Sequence, residues 1–192
     1  VARLLQRTLS QRLSPDGQPI PLIAETGGQN AMIVDSSALT EQVVVDVLSS
    51  AFDSAGQRCS ALRVLCVQEE AAERLLTMLK GAMAELRLGN PEQLFNDIGP
   101  VIDTEAQQGI QRHIDGLRSK GRAVHQLCQR DASAGKGTFI PPTLIELPDL
   151  ADLTREVFGP VLHVVRYRRE DLPKLLARLN GLGYGLTMGL HT

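Results

Sequence analysis

The sequence predicts a three-layer α/β domain, in which a mainly parallel sheet is flanked by helices. Two observations predict it. Stretches with apolar residues at helical spacing alternate with short β-branched runs along the whole chain, the order that builds parallel sheets through helical crossovers. No internal repeat, and no linker long enough to divide 192 residues, interrupts that alternation.

Each element has its own signal. Val1 to Leu13 carries Val1, Leu4, Leu5, Leu9 and Leu13 at helical spacing, and Ser14-Pro15-Asp16-Gly17 ends it with turn chemistry. Ile20 to Ala24 and Ala31 to Val34 read as short strands joined by the polar, Gly-rich Glu25-Thr26-Gly27-Gly28-Gln29-Asn30. Thr40 to Ser54 reads as a helix burying Val43, Val44, Val47, Leu48, Ala51 and Phe52, and Arg63 to Val67 as a buried strand. A long helix, Glu69 to Leu86, follows, stopped by Gly89-Asn90-Pro91. After a loop from Asn96 to Ile102, Thr104 opens a helix in which Gln107 completes a capping box and Ile110, Ile114 and Leu117 face inward.

The last third is more broken. A short strand is expected around Arg122 to Val124, and Cys128 to Lys136, small and polar, reads as a mobile surface loop. Thr138-Phe139-Ile140 and Thr143-Leu144-Ile145 are strand fragments around Pro141-Pro142. Glu156-Val157-Phe158-Gly159-Pro160 leads into the strand Val161 to Tyr167, and a helix spans Leu172 to Leu179 with Pro173 tolerated in its first turn. Gly185 to Thr192 ends in a strand-like run. With Val1 starting directly in a helical pattern, both ends suggest a piece cut from a longer polypeptide.

Composition excludes several functions. Net charge is −2 with Lys and Arg scattered, so nothing argues for nucleic acid. No apolar run approaches the length of a membrane helix. Three cysteines without framework spacing suggest reduced thiols and a cytoplasmic setting. Cys59, Cys66 and Cys128, with His113, His125, His163 and His191, show no metal-ligand spacing. The histidines read as surface or satisfied core residues. Gly135-Lys136-Gly137 lacks the rest of a phosphate loop, and no Gly-x-Gly-x-x-Gly follows a strand.

Three stretches carry the chemistry. Gly56-Gln57-Arg58-Cys59-Ser60 holds a cysteine in a Gly-bearing turn between a helix and a buried strand, where main-chain N–H groups can converge on a nucleophile. Glu25 reads either as a solvated carboxylate or as a general base at a strand end, with Gly27 and Gly28 allowing a ligand close to the backbone. Glu156 has the same two readings, and Phe158 taken alone reads as a core anchor.

Glu25-Thr26-Gly27-Gly28, then Gly56-Gln57-Arg58-Cys59, then Glu156-Val157-Phe158-Gly159-Pro160, in that order and spacing, resembles the aldehyde dehydrogenase superfamily. The longer strings Ile23 to Ala31 and Asp53 to Ala61 are similar to its L-glutamate γ-semialdehyde dehydrogenases. The resemblance implies that Cys59 attacks the aldehyde and that Glu25 is the general base for the hydrolytic water. It implies that Glu156 binds the nicotinamide ribose of NAD, with Phe158 and Gly27 also at the cofactor. Arg58 and Ser60 become candidates for substrate contacts, Ser60 for its carboxylate. It further implies that the chain, residues 1 to 192, is the cysteine-bearing catalytic domain of a longer enzyme. The nucleotide-binding domain would lie before it, with an oxyanion asparagine and an adenosine-ribose lysine. An anchor loop and oligomerisation strand would follow it, and FAD would belong only to a separate proline dehydrogenase domain. Its partners would be a small aldehyde, the rest of the parent polypeptide and, for the chain alone, further copies of itself. A different aldehyde substrate, or a catalytically silent segment, stays open.

Overall fold

A computed structural model describes residues 1–192. A six-stranded sheet is formed by β1 (Asn30–Val34), β2 (Leu62–Gln68), β4 (Ala123–Gln126), β6 (Thr143–Leu147), β7 (Val161–Tyr167) and β8 (Met188–His191), in the order β4-β6-β7-β2-β1-β8. All neighbours are parallel except β4, which runs antiparallel to β6 at one edge. β3 (Arg87–Leu88) and β5 (Gln129–Arg130) make a separate two-stranded ladder.

Side-chain alternation along β7 defines the layers. Arg166 reaches Glu73 on α3 (Glu69–Glu85), which packs beside α2 (Thr40–Phe52). His163, an odd number of residues away, meets His113 on α4 (Thr104–Ser119) with 2.8 Å between their Nε2 atoms. Strand residues of opposite parity face opposite sides. Helices therefore cover both faces, and β2 and β7 are buried almost throughout and mainly apolar, with Arg63, Gln68, His163 and the exposed Arg166 as their polar members. α5 (Leu172–Gly181) adds Leu175 to the core.

Several local expectations change. The first helix, α1, is shorter, Ala2–Leu9. Ile20 to Ala24 forms no strand: β1, the next strand in the chain, already has β2 and β8 on its two sides and cannot take it as a neighbour, and residues 21–26 are exposed. Thr138 to Ile140 is not a strand either; Thr138 instead brackets Val101 with two hydrogen bonds, of 2.9 and 2.5 Å. Pairing resumes only after Pro141-Pro142, which lack ladder donors. The α4 cap is not the expected box. Asp103 is the N-cap and accepts from the Ala106 N–H at 2.8 Å, while Gln107 donates to the Phe139 carbonyl at 3.1 Å. Cys128 to Lys136 is tied down, not loose: β5 pairs with β3, and Asn90 N–H donates to Ser133 Oγ at 2.9 Å.

Candidate active site

The three motif stretches each lead into a strand: Gly27-Gly28 into β1, residues 56–60 into β2, residues 156–160 into β7. Because β7, β2 and β1 are adjacent and parallel, their amino ends lie side by side and the three loops meet there. This corrects the expected position of Glu25. It stands in irregular chain before a strand's amino end, not at the end of a preceding strand.

The Cys59 loop is built from the end of α2. Ser54, Ala55 and Gly56 follow one another with φ of 57°, 52° and 66°, a left-handed run that costs L-residues roughly 1–2 kcal/mol each and reverses the chain abruptly. Gln57 then anchors to the loop before α4: its Oε1 accepts from the Ile102 N–H at 2.8 Å, and its Nε2 donates to the Pro100 carbonyl at 3.2 Å. Asn30 clamps the other side. Its Nδ2 donates to the carbonyls of Cys59 and Ala61 at 2.7 and 2.9 Å, and its Oδ1 accepts from the Thr187 N–H at 3.1 Å. The Cys59 side chain is exposed, and its backbone N–H makes no hydrogen bond within the chain. The carbonyls are thus held while one donor beside the sulfur stays available, the arrangement an oxyanion requires.

The second loop interlocks with the first and with Gly27-Gly28. A Cβ at Gly28 would lie 2.6 Å from the Cys59 carbonyl oxygen, and one at Gly27 would lie 2.5 Å from Glu156 Oε2. Only glycine lets the backbone at residue 28 come so close to the Cys59 carbonyl, and glycine at residue 27, with φ of 147°, leaves room for the Glu156 carboxylate. Glu156 is ion-paired to Arg63 at 3.4 Å, and its side chain is 14% exposed. Phe158 is not the core anchor its residue type suggests: 45% of it is exposed, and the Arg63 guanidinium lies 5.2 Å from its ring centroid. Beside them opens a hollow of about 410 Å³ lined by Gln57, Ala106, Ile110, Arg112, Glu156 and Phe158.

The remaining expected residues divide. Glu25 is exposed and makes no hydrogen bond or ion pair, but only two residues lie between it and Gly28 on the Cys59 carbonyl, at most ~11 Å of chain. Ser60 is exposed, its hydroxyl unengaged. Arg58 turns inward. It donates to the Ser49 and Ser50 carbonyls at 2.7 and 3.2 Å, a cation on the last turn of α2, so its contacts are those of a support for the loop. Sequence reasoning missed Asn30, Gln57 and Arg63. For Arg63 a signal existed: a charged residue inside a run otherwise reading as a buried strand.

Behind the site, His163 is buried, and its Nδ1 lies 3.0 Å from the Arg63 carbonyl. A carbonyl only accepts, so Nδ1 carries the proton, Nε2 accepts, and His113 Nε2 donates to it. Burial pushes His163 down to about 3 and His113 down to about 4, so both are neutral. Cys66 is buried in β2, and burial pushes its thiol up to about 12, which makes it inert.

An exposed cysteine on a loop in contact with a carboxylate-and-aromatic loop, at the amino ends of a parallel sheet, points to a class. The chain belongs to the aldehyde dehydrogenase family, which it matches over residues 4–192 and whose members generally use NAD(P). Within that family it is similar to the bifunctional protein PutA of Escherichia coli K12 and of Klebsiella aerogenes, at 65% and 64% identity. Both matches cover the whole chain but 15% of each relative's length. A crystal structure of bifunctional proline utilization A superposes on the whole chain with a TM-score of 0.90 at 48% identity, the chain spanning 19% of it. No helix is long and apolar enough to cross a membrane.

Proposed function

We propose that this chain supplies the nucleophile and part of the cofactor site of an NAD-dependent dehydrogenase that oxidises L-glutamate γ-semialdehyde to L-glutamate, the second step of proline catabolism, in the cytoplasm. The observation that carries the reading is the contact of the Gly27-Gly28, Cys59 and Glu156 loops at one end of the sheet. The similarity to PutA over the full chain supports the choice of substrate.

In this reading the Cys59 thiolate bonds to the aldehyde carbon to give a hemithioacetal, whose oxygen accepts from the Cys59 N–H. One such donor is worth about 3 kcal/mol in comparable sites. NAD, when bound, accepts the hydride. The acyl group stays on Cys59 as a thioester until water, deprotonated by Glu25, displaces the thiol and releases the carboxylic acid. Glu25 suits that step because no other group holds its carboxylate. The Glu156 carboxylate, held by Arg63, fits a ribose diol, and the exposed face of Phe158 fits the flat nicotinamide. These residues account only for the nicotinamide end of the dinucleotide; the adenosine end needs residues outside this chain. Ser60, exposed beside the nucleophile, remains the candidate for the substrate carboxylate, while Arg58 is occupied by α2.

The test uses the full-length protein that carries this chain and follows nicotinamide reduction with L-glutamate γ-semialdehyde and with other small aldehydes. Cys59→Ala is expected to abolish turnover, and Glu25→Gln to keep one rapid burst of reduced nicotinamide while stalling thioester hydrolysis. Turnover that survives Cys59→Ala would overturn the mechanism. A higher kcat/KM for another aldehyde would overturn the substrate.

A further inference from the structure

We propose that Arg63 is a positioning residue, a clasp that locks the Cys59 loop to the Glu156–Gly159 loop so that the cofactor carboxylate and the nucleophile keep one spacing. The part of the proposal that concerns the cofactor rests on the function proposed above; the clasp itself does not.

Arg63 is the largest fully buried side chain of the molecule, with 0% exposure. Its fork reaches both loops at once. Nη1 donates to the Gly159 carbonyl at 3.0 Å; Nη2 donates to the Arg58 carbonyl at 3.1 Å and to Glu156 Oε1 at 3.4 Å. Its guanidinium carbon lies over the Phe158 ring, 5.2 Å from the centroid. The backbone explains how a strand residue can point there. β1 pairs Asn30 with Leu62 but Ala31 with Val64, so the ladder skips Arg63, and such an irregularity re-aims the side chain. On the β7 side the Arg63 carbonyl is fixed by His163.

Stability is a poor reason for this arrangement. A guanidinium taken out of water loses several kcal/mol of hydration, and a buried ion pair seldom outperforms apolar side chains of the same volume. Here the Nε–H is left without any partner as well. What a guanidinium supplies, and Met or Lys does not, is a planar set of donors that holds three acceptors from two loops in fixed relation.

The test is made in the full-length protein with Arg63→Lys, which keeps the charge and loses the fork, and Arg63→Met, which keeps only the length. Hydrogen exchange at residues 57–61 and 157–161 reads the clasp without any turnover. In Arg63→Lys both segments are expected to exchange about tenfold faster together, with the distant β6 unchanged. The KM for NAD should rise about tenfold while the rate of Cys59 alkylation stays within about twofold, and Arg63→Lys should add little to Glu156→Gln. Exchange that is unchanged, or faster in only one loop, would overturn the clasp, and so would two loosened loops with an unaltered KM for NAD. If the arginine variants do not fold, Glu156→Gln decides from the other side, since it should loosen the Cys59 loop. Should the wild-type protein not reduce NAD with an aldehyde, the proposed function fails, and the exchange measurement still judges the clasp.

Discussion

A methyl group on residue 56 would sit 2.3 Å from the Gly159 carbonyl oxygen, and the backbone there has φ of 66°. Steric and conformational penalties therefore fall on one atom. Gly56→Ala is expected to cost at least about 3 kcal/mol, read as a lowered urea midpoint at constant m-value. A loss below about 1 kcal/mol would mean that the two loops are not in contact. The same position shows what a sequence conveys at this scale. Gly56, Cys59 and Glu156 could be singled out because their signals are local: a glycine that a tight turn requires, and two short motifs around a cysteine and a carboxylate. Asn30 and Arg63 were not, because each is defined by partners tens of positions away, up to 96 residues for Arg63 and Gly159.

At the scale of elements, α4 is joined to β7 by the His113–His163 hydrogen bond, between rings that meet edge to face at 5.1 Å. Both imidazoles are pushed far below their ordinary value of 6.5 by burial, to about 4 and about 3. Below pH 6.5 the unfolded chain binds protons that the folded one refuses, so stability falls as pH falls from about 6.5 towards 4, by up to about 1.4 kcal/mol per pH unit for each histidine. Denaturation midpoints measured at pH 7 and pH 5 should show the drop, and His113→Gln should make it shallower. Carboxylates such as Asp35 and Asp152, held below the ordinary range, lose their share only at lower pH, so the windows separate. A stability unchanged between pH 7 and 5 would mean that this helix–strand contact is solvated. The helices and strands themselves were mostly readable, since period and length report burial on one face or two. The exceptions were segments whose fate depends on a partner: Ile20 to Ala24 found no ladder, and Gln129-Arg130 found β3.

For the molecule as a whole, the surfaces left open predict how the 192-residue chain behaves alone. β8 is an edge strand with Met188 and Leu190 59% and 65% exposed, and Leu4 and Leu5 project from α1. Such edges pair with other copies. Light scattering on the isolated chain is expected to show concentration-dependent association, reduced by Leu190→Lys; a clean monomer at high concentration would contradict this. If the proposed function holds, the isolated chain should also fail to reduce NAD at a measurable rate, since that reading assigns the adenosine end of the site and a second oxyanion donor to residues outside it. Turnover by the chain alone would show that residues 1–192 hold the whole site.

The sequence by itself determined most of the succession of helices and strands, the parallel character of the sheet and the three motifs that single out Cys59, Glu25 and Glu156. Each of those is encoded within a window of a few turns or one short motif. Only the tertiary structure decided that the motifs meet at the amino ends of β1, β2 and β7, that Arg58 faces inward, and that Arg63 and Asn30 hold the loops. Hydrophobic period says which face of a segment is buried and is silent about which strand lies beside it. Strand order is set by the packing of the whole core, and the site inherits its geometry from that order.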